Sequence, residues 1–279
     1  MQIIGALYGS GGRAKGAEEG AKVLFEYAKL FPECTETLKL TGPDSFDPNL
    51  VTPFMLDLKS RVKESHYNSE FTLILGGDHS ISMASICAVC ENTKFNTGVI
   101  YVDAHADMNT FETTPSGNIH GMPLAVCLGV ERSFPDVNKV PLKKENLLLL
   151  GTRSIDEGEQ MLMDVLNIRS YSSYYLTEHE EEDIDAIIRD FMATNNLDNI
   201  HLSFDIDVVD PEYAPGTGVP ESNGITESKA LTIIEKIFNT GTVRSMDIVE
   251  YNPKLDSKNL TLEICKNILE LVAKNRLCH

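Results

Sequence analysis

The chain has 279 residues, 42% apolar and 24% charged, enough for one large α/β domain and short for two catalytic ones. With 42 acidic residues against 24 basic its formal charge is −18, a field that repels nucleic acid and anionic membrane surfaces and attracts small cations. No run of about 18 apolar residues marks a membrane span, and residues 2–7 enter a glycine-rich turn without a basic lead, so no targeting segment is expected.

Short apolar runs alternate with amphipathic segments. In chain order, residues 2–7 read as a strand, 17–31 as a helix, 71–75 as a strand, 80–91 as a helix, and 98–102 and 146–150 as strands. There follow a helix over 184–195, a strand over 200–204, a helix over 227–238, a strand over 242–249 and a helix over 260–274. Strand then helix, repeated, predicts one three-layer α/β/α domain over residues 1–279. Its central sheet is mostly parallel, and its ligand crevice lies at the C-terminal strand ends. Two loops rich in Gly, Pro, Ser and Thr, 108–123 and 208–224, follow such ends. Cys34, Cys87, Cys90, Cys127, Cys265 and Cys278 show no repeating spacing, which predicts reduced thiols in a cytoplasmic protein. Cys87 and Cys90 form a lone CxxC inside a predicted helix and read as small apolar core side chains.

The chemistry gathers at the strand ends. After residues 71–75 comes Gly76-Gly77-Asp78-His79-Ser80, where two glycines permit a sharp turn that carries His79 into the crevice. A histidine there, taken alone, reads as a helix cap or the filling of a polar pocket. Asp103, His105 and Asp107 follow the next strand at a spacing of two. An extended backbone directs all three to one side, with Ala104 and Ala106 leaving room behind them. Asp205 and Asp207 repeat the pattern after residues 200–204. Four carboxylates in a partly desolvated cleft repel one another strongly, so the set makes physical sense around divalent cations. Two imidazoles and four carboxylates without a thiolate suit Mn²⁺, Fe²⁺ or Co²⁺ better than structural zinc, and Mn²⁺ leads on ligand hardness.

These motifs resemble the ureohydrolase superfamily and, within it, the arginase family. The superfamily likeness is carried by Ile4-Gly5-Ala6, Glu18-Glu19-Gly20, the run ending at Ser80, residues 103–107, Ser203-Phe204-Asp205-Ile206-Asp207 and Asp247-Ile248-Val249-Glu250. The arginase branch is carried by Asn109 and by Ser116-Gly117-Asn118-Ile119-His120-Gly121-Met122-Pro123. The resemblance implies two Mn²⁺ per chain. One is held by His79, Asp103, Asp107 and Asp205, the other by Asp103, His105, Asp205 and Asp207. It also implies hydrolysis of a small cationic guanidino substrate, L-arginine, to L-ornithine and urea by a hydroxide shared between the ions. In that scheme Asp107 aims the nucleophile, Glu250 binds the guanidinium nitrogens and His120 protonates the leaving amine. Asn109, Thr114, Ser116 and Asn118 read the α-carboxylate. Asp156 reads the α-ammonium, with Glu159 behind it or acting through water. A homo-oligomer, by family a trimer, is implied as well.

Two positions depart from the pattern: Ser154 stands where a second aspartate is common, and Val219 where a threonine often lies near the guanidinium. A lost hydroxyl costs about 1 kcal/mol, roughly fivefold in affinity, which touches substrate binding more than reaction type. Another ureohydrolase such as an agmatinase or formiminoglutamase keeps the metals and loses the amino-acid clamp. A catalytically silent binding subunit has no chemical need for the complete ligand set or for His120. A two-metal phosphoesterase fits poorly with the charge of −18 and with motifs that lack an Arg/Lys clamp.

Overall fold

A computed structural model describes residues 1–68 and 71–277. The elements run β1 (Gln2–Leu7), α1 (Ala17–Ala28), β2 (Glu36–Thr41), α2 (Pro48–Tyr67), β3 (Thr72–Gly76), α3 (Ser82–Cys90), β4 (Thr97–Val102), α4 (Pro123–Cys127) and β5 (Leu147–Thr152). They continue α5 (Glu157–Leu166), β6 (Arg169–Ser172), α6 (Ser173–Glu178), α7 (Glu181–Thr194), β7 (Asn199–Asp205), α8 (Glu227–Phe238), β8 (Val243–Val249) and α9 (Leu260–Leu277). Among the described residues the sheet has eight strands in the order β2-β1-β3-β8-β7-β4-β5-β6. Every registered pair is parallel.

Alternation along the strands divides the core into two layers. Ile3, Leu73, Leu75, Ile100, Val102, Leu148 and Leu150 face one side, where they pack with residues of α1, α7, α8 and α9 such as Leu24, Phe191, Ile233 and Ile268. Ile4, Ile74, Val99, Tyr101, Leu147 and Leu149 face the other, against Met55 and Leu58 of α2, Ile86 of α3 and Leu124 of α4. Since both faces are covered, the central strands read as continuous apolar runs, the signature that identified them in the sequence.

The edge strands β2 and β6 escaped the sequence reading because each pairs on one side only. Their residues are largely polar and only partly buried. Helix α2 escaped because Pro53 interrupts its pattern. It is capped by the Asp47 carboxylate on the Asn49 N–H and anchored by buried Val51, Met55, Leu58 and Val62. Helix α5 escaped although Leu162, Met163 and Leu166 pack on one face, because Met161 and Val165 are also apolar yet face outward and widen the apolar set. The predicted helix 80–91 divides into a 3₁₀ turn, His79–Ile81, and α3. Cys87 is buried in the core as expected, whereas Cys90 is half-buried and packs against its edge; both are free thiols, as are Cys34, Cys127 and Cys265, while Cys278 lies outside the described residues. No helix among the described residues is long and apolar enough to cross a membrane.

Candidate metal centre

All the chemistry-bearing motifs sit at the C-terminal ends of β3, β8, β7 and β4, four strands adjacent in the sheet. Parallel pairing brings those ends to one rim, so ligands more than a hundred residues apart in sequence meet there. At the β3 end the chain turns under β1 so closely that a Cβ on Gly77 would stand 1.7 Å from the Tyr8 carbonyl oxygen. The Asp78 carboxylate then caps the Ser80 N–H at 3.0 Å and accepts the Gly11 N–H at 2.7 Å, fixing His79 at the turn.

The two aspartate runs converge by a different local geometry from the extended one that their spacing predicts. Strand β4 stops at Val102, and Asp103 begins an irregular turn that ends with Asp107 in the left-handed region at φ 51°. Such a backbone costs about 1–2 kcal/mol for a residue with a side chain. Here it is held by the Leu124 N–H, which donates to the Asp107 carbonyl at 2.9 Å. Asp205 closes β7, and its carboxylate accepts the Asp207 N–H at 2.8 Å, folding residues 206–208 into a 3₁₀ turn. The turns are required because an extended strand sends alternate side chains along parallel lines, while ions need them aimed at a point.

Two overlapping clusters result. His79, Asp103 and Asp107 form one and Asp103, His105 and Asp207 the other, with ligand atoms in each within 4.8 Å of one another, so Asp103 belongs to both. His79 Nδ1 lies 2.9, 3.2 and 3.0 Å from oxygens of Asp103, Asp107 and Asp205. His105 Nδ1 lies 3.0 Å from Asp207 and 3.5 Å from Asp103. His79 Nδ1 and Asp103 Oδ2 are fully buried yet have no hydrogen-bond partner among the described residues, as befits lone pairs aimed at an ion. Burial, with Asp207 and Asp103 nearby, pushes the Asp205 carboxyl well above its ordinary range. Burial opposes a charged His79 ring, but Asp103, Asp107 and Asp205 outweigh it and raise its pKa. The cluster therefore demands positive charge, and its imidazole and carboxylate donors fit a pair of hard or borderline dications.

A further set of side chains, among them Ser203 and Asp247 of the quoted motifs, orients the ligands. Ser203 Oγ donates to Asp247 Oδ1 at 2.5 Å, so it must accept from His79 Nε2 at 2.9 Å, which leaves Nδ1 as the lone-pair nitrogen. Asp247 also accepts from Ser85 at 2.5 Å, Ser82 at 3.1 Å and His201 Nε2 at 3.0 Å. Tyr101 stacks on His79 with ring centroids 4.5 Å apart and donates its hydroxyl to Asp107 Oδ2 at 2.7 Å. A signal existed in the sequence: His201, Ser203 and Asp205 occupy every second position of an otherwise apolar strand, so they share one face.

Above the ligands opens a cleft of about 280 Å³ lined by His79, His105, Asp107, Asp205, Asp207, His120 and Glu250, and also by Asn109, Thr114, Ser116, Asn118, Asp156 and Glu159. Every candidate site residue except Asp103, which lies beneath the floor at 1% exposure, thus lines one cavity. Glu250 follows β8 with φ 65°, and its N–H donates to the Gly77 carbonyl at 2.7 Å, which ties the β8 end to the His79 turn. Burial works against a charged His120, yet Glu250, 3.0 Å away, prevails with help from Asp78 and Asp107 and lifts it to about 9. Asp156 accepts from Asn109 Nδ2 at 2.8 Å. Glu159 is buried and spends its oxygens on the N–H groups of Met108 and Asp156, at 3.0 and 2.9 Å, so it braces the wall. Burial pushes its carboxyl up to about 7, with the Met108 and Asp156 N–H bonds opposing and Asp107 and Asp156 adding to the rise. Val219 and Ser154, the departures from the pattern, line the same cleft.

The sequence profile of the arginase family matches residues 1–273. An arginase of Staphylococcus aureus (strain MRSA252) is 37% identical over 207 residues, covering 74% of this chain and 68% of its own. The crystal structure of Bacillus subtilis subsp. subtilis str. 168 arginase superposes with a TM-score of 0.88 at 32% identity, covering 99% of this chain and 97% of its own. That of Entamoeba histolytica arginase in complex with L-ornithine gives 0.87 at 30% identity, covering 98% and 96%. The chain belongs to the arginase family of the ureohydrolase superfamily.

Proposed function

We propose that residues 1–279 act as one cytoplasmic ureohydrolase domain that hydrolyses L-arginine to L-ornithine and urea. The observation that carries this reading is a single cleft with a His/Asp cluster at its floor and the Asn109–Asp156 pair with the Thr114-to-Asn118 hydroxyl and amide loop at its mouth. A cationic guanidinium fits the floor, and an α-amino acid head fits the mouth.

Two Mn²⁺ are the ions this donor set suits, held by His79, Asp103, Asp107, His105, Asp205 and Asp207. Bound there, such a pair would offset the aspartates' charge and would supply an acidified water as the nucleophile. The protein's own groups do the rest. Asp107, fixed by Tyr101, accepts a hydrogen bond from the attacking water and aims it at the guanidinium carbon. Glu250 draws the guanidinium N–H groups to the floor. As the bond from that carbon to the chain nitrogen breaks, His120, charged beside Glu250, hands its proton to the departing amine. Asp156, steadied by Asn109, takes the α-ammonium, and Asn118, Ser116 and Thr114 offer donors to the α-carboxylate. The homotrimer carried over from the family resemblance belongs to the same reading and is checked by sedimentation.

The test is urea release by Mn²⁺-loaded protein from arginine, agmatine and formiminoglutamate. Arginine as the best substrate by kcat/KM supports the assignment. Faster turnover of agmatine rejects it in favour of a relative without the amino-acid clamp. Bound metal with no hydrolysis of any guanidine points to a silent binding member.

A further inference from the structure

The two histidines of the metal cluster are not supported alike. His79 is buried and has its outer nitrogen fixed by Ser203 and Asp247. His105 is one-fifth exposed, and its outer nitrogen, Nε2, faces the cleft wall, where Glu221 Oε1 stands 3.7 Å away. A ligating imidazole normally gives its second ring N–H to a carboxylate, a carbonyl or water, which fixes both tautomer and ring orientation.

Glu221 is itself held. Its Oε1 accepts from Ser154 Oγ at 3.0 Å, and its carbonyl accepts from Arg153 Nη2 at 2.8 Å. Arg153 and Ser154 are in turn pinned to the metal loop, since both their N–H groups donate to the Ala104 carbonyl, at 2.8 and 3.0 Å. The serine at position 154, one of this chain's departures from the family pattern, therefore seats a carboxylate from a different loop beside the ligand. The 3.7 Å separation exceeds the ~3.2 Å limit of a direct N–H···O bond. The Glu221 side chain, about a third exposed, would complete the contact by moving about 0.5 Å closer or through a bridging water.

We propose that Glu221, seated by Ser154, is a positioning residue for His105 that holds its Nδ1 toward the ion shared with Asp103 and Asp207. The proposal rests on the two-metal reading but not on the identity of the substrate. Its test is titration calorimetry of metal-free protein with Mn²⁺ alone, for the unmodified chain and for Glu221→Ala, Glu221→Gln and Ser154→Ala, with circular dichroism to confirm that each is folded. Glu221→Ala is expected to weaken one of the two classes of Mn²⁺ sites by roughly 10- to 100-fold and leave the other unchanged. Glu221→Gln, whose amide oxygen still accepts the ring N–H, is expected to retain most of the affinity, and Ser154→Ala to fall between.

Unchanged Mn²⁺ affinities in Glu221→Ala overturn the proposal. So does an equal loss in both classes, or a raised KM for arginine with metal affinity intact, which would make Glu221 a substrate contact. If the unmodified chain binds fewer than two ions, the metal reading fails and this inference with it. If it binds two and releases no urea, the proposed reaction fails while this inference is still decided by the titration.

Discussion

Glu250 Oε1 lies 3.0 Å from His120 Nδ1 and at the same time accepts the backbone N–H of His79 at 2.9 Å. One carboxylate oxygen thus links the proposed proton donor to the turn that presents a metal ligand, so the acid and the metals keep a fixed separation without being bonded to each other.

His120→Asn is expected to lower kcat for arginine by about 10²- to 10⁴-fold, the range for loss of a general acid. Metal content should stay the same, because His120 belongs to neither ligand cluster. Steady-state urea assays paired with elemental analysis check both halves.

The shared place of Asp103 predicts unequal consequences within the cluster. Asp207→Ala should leave about one tightly held metal per chain, since the His79, Asp103 and Asp107 set survives it. Asp103→Ala removes a ligand from both sets and should leave less than that. Elemental analysis after gel filtration separates the two, and equal metal contents would contradict the overlap.

Metal removal should also lower stability. Free Mn²⁺ at 100 times its Kd contributes ~2.7 kcal/mol per site, so EDTA should lower Tm by roughly 5–10 °C per site, recoverable on adding Mn²⁺. Differential scanning calorimetry reads this directly.

Asp156→Ala removes a charged acceptor from the cleft mouth, worth about 1.5–3 kcal/mol to a bound ammonium, and should raise KM for arginine by about 10- to 150-fold. Agmatine, which has no α-ammonium, should be little affected. An unchanged KM for arginine would favour another ureohydrolase.

Stability should fall on the acid side for a reason remote from the metals. His66 is buried between Asn92 and Asn199, and burial, His201 and Arg244 hold its imidazole down to about 4 against the help of Asn199. Above pH ~6.5 the ring is neutral in both folded and unfolded chains and contributes no pH dependence. As pH falls from there to about 4 only the unfolded chain takes up the proton, so roughly 3 kcal/mol of stability is lost, and the loss levels off below that. His66→Gln should flatten this part of the stability curve in denaturant titrations at stepped pH.

The buried strands and the ligand residues were legible in the sequence because their signals are local. Strands β1, β3, β4, β5, β7 and β8 show as apolar runs since both sheet faces are covered, and His79, Asp103, His105, Asp107, Asp205 and Asp207 lie at the ends of three of those strands, β3, β4 and β7. The edge strands β2 and β6 and helices α2 and α5 were not legible, because half-burial, Pro53 and outward-facing apolar side chains blur a pattern that depends on burial.

What only the tertiary structure decided is direction. Spacing placed the aspartates two apart, but the left-handed backbone at Asp107 and the 3₁₀ turn at Asp207 aim them at common centres. The supports of the two histidines, Asp247 through Ser203 for His79 and Ser154 with Glu221 beside His105, join strands and loops far apart in sequence. A sequence carries the identity of donors and acceptors. Which lone pair meets which proton depends on parallel strands ending at one rim, and that is settled when the two halves of the core close over the sheet.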